Sequence, residues 1–162
     1  MAVQEFYFFG SYNAFRPFKI KINSGADSMF TIPTTGTGYD YSLKVAGVVD
    51  VSGLTGAYTI NFPNANTDYI IEISGLFPQW MQNNNADRFK VRGVIQYGDV
   101  LFRSFLLFFY GCTQIDNSIA SIDSPKTIAN IQLGGAFVQS NWNQPFLGFT
   151  TNGFFNISST FQ

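Results

Sequence analysis

Apolar and polar residues alternate along much of the first half of this chain. Phe18-Lys19-Ile20-Lys21-Ile22 alternates strictly, as do Tyr39 to Val45 and Tyr58 to Phe62. A period of two puts apolar side chains on one face of a pleated strand and polar ones on the other. Phe30-Thr31-Ile32 is a shorter run of the same kind, stopped by Pro33, and Tyr69 to Ile73 is another, stopped by Gly75. Thr34-Thr35-Gly36-Thr37-Gly38 and Pro63-Asn64-Ala65-Asn66 separate these runs with residues that favour turns. Up to Gly75 no segment has helical periodicity. Short strands at this spacing predict an antiparallel β-sandwich over 18–77.

Beyond Phe77 the texture changes. Gln82-Asn83-Asn84-Asn85-Ala86-Asp87 is a polar loop suited to a junction. Val91 to Ile95 predicts a short buried strand. Val100 to Phe109 has apolar spacings that predict one short helix, with Asp99 placed to cap it. A weak self-similarity then appears: Phe109, Phe137 and Phe161 recur, at intervals in the twenties, in related surroundings. A period of that size matches one unit of a leucine-rich-type solenoid, which needs a neighbour to bury its face. About two units over 78–162 would use the preceding sandwich as their cap. Ahead of both, residues 1–17 form an aromatic-rich arm carrying Phe6, Tyr7, Phe8, Phe9 and Tyr12, all candidate contact residues.

These two halves together resemble the BspA-like surface proteins, in which a PKD-like, immunoglobulin-type β-sandwich leads into degenerate leucine-rich-type repeats. The stretches that carry the resemblance are FTIPTTGTGYDYSLKV (30–45), GLTGAYTINFPNANTDYIIEISGLFP (53–78) and VIQYGDVLFRSFLLFFYGCTQI (94–115). SNWNQPFLGFTTNGFFNISSTFQ (140–162) is similar to a repeat of that family, with Asn143, Gln144 and Phe161 in matching places. Two departures stand out. Lys44-Val45-Ala46-Gly47 replaces the acidic turn common in the family's sandwich, and about two repeats stand where the family has many. The resemblance implies display on a surface and function through contacts.

Composition narrows the chemistry. Of 162 residues 46% are hydrophobic, enough for a substantial core, and only 12% are charged, about half the usual share. The net charge is -1 and the nine basic residues are scattered, which argues against nucleic-acid binding. No apolar stretch approaches the ~20 residues that span a bilayer, so no membrane insertion is expected. Histidine is absent, which removes the commonest general base and metal ligand. Cys112 is the single cysteine; following an apolar run, it reads as a small buried hydrophobe. Asp40, Asp50, Asp68, Asp116 and Asp123 lack the close spacing of a calcium loop and read as surface groups. Gly134-Gly135 is too short for a phosphate loop. No catalytic residue, cofactor or metal site is therefore expected. Trp80 and Trp142, in Asn- and Gln-rich surroundings, are of the type that stacks on sugars, although an amphipathic residue at the core's edge is the simpler reading.

The functional expectation is a non-catalytic structural or accessory protein of a virion, most simply of a bacteriophage. It would bind other virion proteins, or its own copies, through the aromatic arm or a sheet edge. The first residues lack the basic and apolar regions of a secretory signal, which favours a virion over ordinary secretion. The alternative is an adhesion or carbohydrate-binding module of a bacterial cell surface, with a glycan as a possible partner.

Overall fold

A computed structural model of the chain describes residues 15–127 and 131–143. The fold is mainly β. Five strands form one antiparallel sheet in the order β4-β3-β6-β1-β7. They are β1 (Phe18–Asn23), β3 (Asp40–Val45), β4 (Val49–Leu54), β6 (Asp68–Leu76) and β7 (Val91–Gln96). β2 (Met29–Thr31) and β5 (Thr59–Asn61) make a separate antiparallel pair, and β8 (Leu101–Phe102) and β9 (Lys126–Thr127) a short parallel one.

Alternation in the sequence becomes sidedness in the sheet. Phe18, Ile20 and Ile22 of β1 are wholly buried, as are Leu43 of β3 and Ile71 and Ile73 of β6. The intervening side chains form a polar outer face tied by cross-strand ion pairs: Lys19–Glu72 at 2.9 Å, Lys21–Asp68 at 2.9 Å and Lys44–Asp50 at 3.0 Å. Phe30 and Ile60, from the β2–β5 pair, are buried in the same core. β4 is not evident from alternation alone. It follows a short turn in which Gly47 takes φ +72°, and it lies at one flank of the sheet, paired among the described residues only with β3. Tyr41 opposes Leu54 but Leu43 opposes Val51, so β4 carries one extra residue at Ser52–Gly53. Gly53, at φ +71°, sits in this bulge.

The expected junction after Phe77 does not interrupt the sheet. β7 lies beyond it, yet pairs with β1 through Ile20↔Val94 and Ile22↔Val91. Ile20, Trp80, Phe109 and Phe137 belong to one hydrophobic core.

The helix expected over Val100 to Phe109 does not form. Leu101 and Phe102 are strand, and the rest is a chain of turns; among the described residues the one helical element is a 3-10 turn at Ala86–Lys90. Phe102, Phe105, Phe108 and Phe109 are all buried, which gives the segment its helix-like spacing. Its backbone donors go elsewhere. Phe105 donates to the carbonyl of Gln132, Leu107 to Gly134, Phe109 to Ala136 and Gly111 to Val138, so the offset in sequence stays constant along the segment. Leu107 also takes φ +54°, which no right-handed helix accommodates. Asp99, the expected cap, instead accepts from the backbone N–H of Arg16 at 2.8 Å.

Bonds of similar reach recur around this region. Arg103 donates to Pro78 and the Gln79 side chain to Leu106, while Asp116 donates to Arg92 and Ile122 to Ile95. Asn117 bridges to Asn141 and Asn143, donating to the first and accepting from the second. Turn geometry repeats too. Left-handed backbone occurs at Leu107 and Gly111, and again at Gly135 and Gln139, with the same spacing inside each pair.

Candidate functional site

The sequence-predicted contact residues divide into three groups. Phe6, Tyr7, Phe8, Phe9 and Tyr12 lie outside the described residues. Trp80 is wholly buried, stacked on Phe30 at 5.9 Å and edge-on to Phe18 at 5.8 Å. It is a core residue and offers no surface to a partner or a sugar, because separate strands converge on its ring. Trp142 is partly buried, stacked on Phe109 at 5.1 Å and beside Phe137 at 5.7 Å. It packs onto the core, in keeping with the simpler reading of the sequence.

The titratable side chains are used as clamps between distant parts of the chain. Around Asp99, Arg16 and Lys126 approach its Oδ1 at 3.3 and 2.6 Å, and the second guanidinium nitrogen of Arg16 lies 3.4 Å from Asp123. Asp123 accepts from the backbone N–H groups of Tyr97 and Gly98 at 2.6 and 2.9 Å, fixing the turn between β7 and β8. The Lys126 ammonium and the Arg16 N–H hold the Asp99 carboxyl well below the usual carboxylate range. A second clamp joins the β1–β2 turn to the 3-10 turn: Lys90 lies 2.7 Å from both Asp27 and Asp87. Burial pulls the Lys90 ammonium down, but its bonds to the two carboxylates outweigh this and hold it above its ordinary value. Lys90 in turn lowers Asp27.

The remaining shifts run the same way. Asn23 and Lys21 lower Asp68, Ser118 lowers Asp116, and Asp50 raises Lys44. Burial pushes the Cys112 thiol up and raises Tyr97, and it pushes Tyr41 up to about 12. Acids shifted down, bases shifted up and a thiol shifted up all keep their ordinary charge state at neutral pH. Among the described residues no three His, Cys, Asp or Glu side chains gather as a metal ion would need. No helix among them is long and apolar enough to cross a membrane.

Two of the hollows on this surface are lined by described residues. One, of about 250 Å³, lies on the outer sheet face beside Phe15, Lys44, Asp50 and Glu72, whose charges are already paired. The other, of about 280 Å³, opens where Ile32 and Pro33 leave β2 and meet Met81, Gln82 and Asn85. Sequence reading misses it, since its walls come from three separated segments and carry no motif. Its signal, in retrospect, is the amide-rich run Gln82 to Asn85, in which Asn83 and Asn84 take positive φ. Comparison with protein-family models, with curated proteins and with solved structures finds no match for this chain.

Proposed function

We propose that this chain is a non-catalytic contact module, a structural or accessory protein displayed on a virion and acting through protein–protein contacts. One observation supports the non-catalytic part of the reading. Every described titratable group with a resolved shift moves away from neutrality, and the charged side chains are used in clamps between segments far apart in the chain. Acid–base and nucleophilic catalysis need the opposite, a group poised near the working pH. What such clamps provide is a fixed surface shape.

The finer architecture belongs to the same proposal. We read 18–77 as the sandwich-like cap and 78–162 as a short stack of coils of the leucine-rich type, in line with the resemblance to BspA-like surface proteins. The constant offset of the hydrogen bonds from Phe105 to Gly111 and the repeated pair of left-handed turns support this reading. β7, bonded to β1 on one flank and to the Asp116 and Ile122 amides on the other, would be the seam between cap and stack.

Mass spectrometry of particles purified from the source culture tests the setting. The chain is expected among the virion proteins in fixed stoichiometry. Its absence from particles, together with labelling on intact bacterial cells, would overturn the virion reading in favour of a cell-surface adhesin.

A further inference from the structure

Among the described residues three buried side-chain polar atoms have no hydrogen-bond partner, Tyr69 Oη, Trp80 Nε1 and Gln82 Oε1, and Gln82 lines a hollow. Gln82 is wholly buried, and its Nε2 donates to the Asn85 carbonyl oxygen Oδ1. That bond fixes the amide plane and hence the direction of Oε1, which has no hydrogen-bond partner among the described residues. A buried carbonyl oxygen left without a donor is unfavourable, so its occurrence on a residue that lines a hollow points to a donor supplied from outside. The remaining walls say what kind. Thr34, Thr35, Asn83 and Asn85 present hydroxyl and amide groups that both donate and accept, while Ile32, Pro33 and Met81 present apolar surface. No Lys, Arg, Asp or Glu lines it, so neither an anion nor a cation finds a counter-charge there. We propose that this hollow is a binding site for a single ring of a neutral saccharide.

A pyranose matches each feature. Its hydroxyls both donate and accept, one of them donating to Gln82 Oε1, and its C–H face suits the apolar wall. The volume of about 280 Å³ holds one ring and little more. Such a shallow, single-ring site implies millimolar affinity for the free sugar, with useful strength arising only when many copies are displayed together. The proposal goes beyond the contact-module reading and holds equally for a virion or a cell surface.

The test is a nuclear magnetic resonance titration of the full chain with glucose, galactose and N-acetylglucosamine separately, with acetamide as the comparison probe. At least one sugar is expected to move the side-chain amide signals of Gln82 and Asn85 and the backbone signals of Thr34 and Thr35, in a saturable way. Gln82→Leu should weaken binding about three- to tenfold, the loss of one neutral hydrogen bond. Because Gln82 lies in the core, Ala57→Phe serves as the second variant. Ala57 is an exposed wall residue, and a larger side chain there should close the mouth without disturbing the core. Silence with all three sugars, saturation by acetamide alone, or sugar shifts that persist in both variants would each overturn the proposal.

Discussion

Trp80 illustrates how strongly one residue can bind separate parts of this chain. Its ring meets Phe18, Phe30 and Phe77 at 5.8, 5.9 and 6.4 Å, so β1, β2 and the segment after β6 all depend on it. Trp80→Ala is expected to destabilise the fold by about 3–5 kcal/mol in urea unfolding. A loss below about 1 kcal/mol would mean that the ring is not in the core. The sequence does not disclose this burial. Tryptophan is amphipathic, its neighbours Gln79 and Gln82 are polar, and nothing local reveals that Phe18 and Phe30 converge on it. Cys112 is easier to read, because the apolar run before it already implies a buried setting, and it is indeed wholly buried.

At the scale of elements, legibility follows the number of exposed faces. β1, β3 and β6 each have one buried and one solvated face, so alternation announces them; β1 and β3 lie close to the expected limits, whereas β6 runs on through Gly75, the expected stop, to Leu76. In the stretch from Val100 to Phe109 the buried phenylalanines recur at helix-like spacing although the backbone runs in turns, so periodicity misleads there. Its hydrogen bonds reach a segment far along the chain, Gln132 to Val138, which no local pattern reveals. The repeated turns carry a prediction of their own. Gly111 and Gln139 hold corresponding left-handed positions, at φ +76° and +53°, but only Gln139 bears a side chain. Gln139 is exposed, so Gln139→Gly should relieve backbone strain and stabilise the protein by about 1 kcal/mol. Gly111→Ala should do the reverse, because its new Cβ would meet the Asn84 and Arg88 side chains as well as the unfavourable φ. Thermal unfolding of the two variants, compared in one buffer, checks both signs.

For the whole molecule, the clamps set the response to pH. Asp99, Asp68, Asp27 and Asp116 have folded-state pKa values below the unfolded one. Their stabilising effect is complete above the unfolded value, near pH 4, and disappears as the pH falls through the folded values. Lys44 and Lys90 are raised, so their effect holds below about pH 10 and is lost above it. With no histidine in the chain, the melting temperature is expected to stay flat from about pH 5 to 9 and to fall below about pH 4. A clear step between about pH 6 and 7 would contradict this. Because β7 is bonded to β1 and the core is shared, 18–77 and 78–143 should also unfold together. Coincident transitions by tryptophan fluorescence and by circular dichroism are expected, and two separated ones would show that either part stands alone.

Crowding gives the bulge in β4 its significance. Molecules held side by side at high density are at risk of joining sheet to sheet into fibres, and an open flank is where such growth starts. Here the flank at β7 is occupied by the amides of Asp116 and Ile122. The flank at β4 offers a straight template only from Val49 to Val51, interrupted by the kink at Ser52–Gly53 and carrying the charge of Asp50. The extra residue that distorts one strand thus shortens the stretch of β4 onto which a further strand could add.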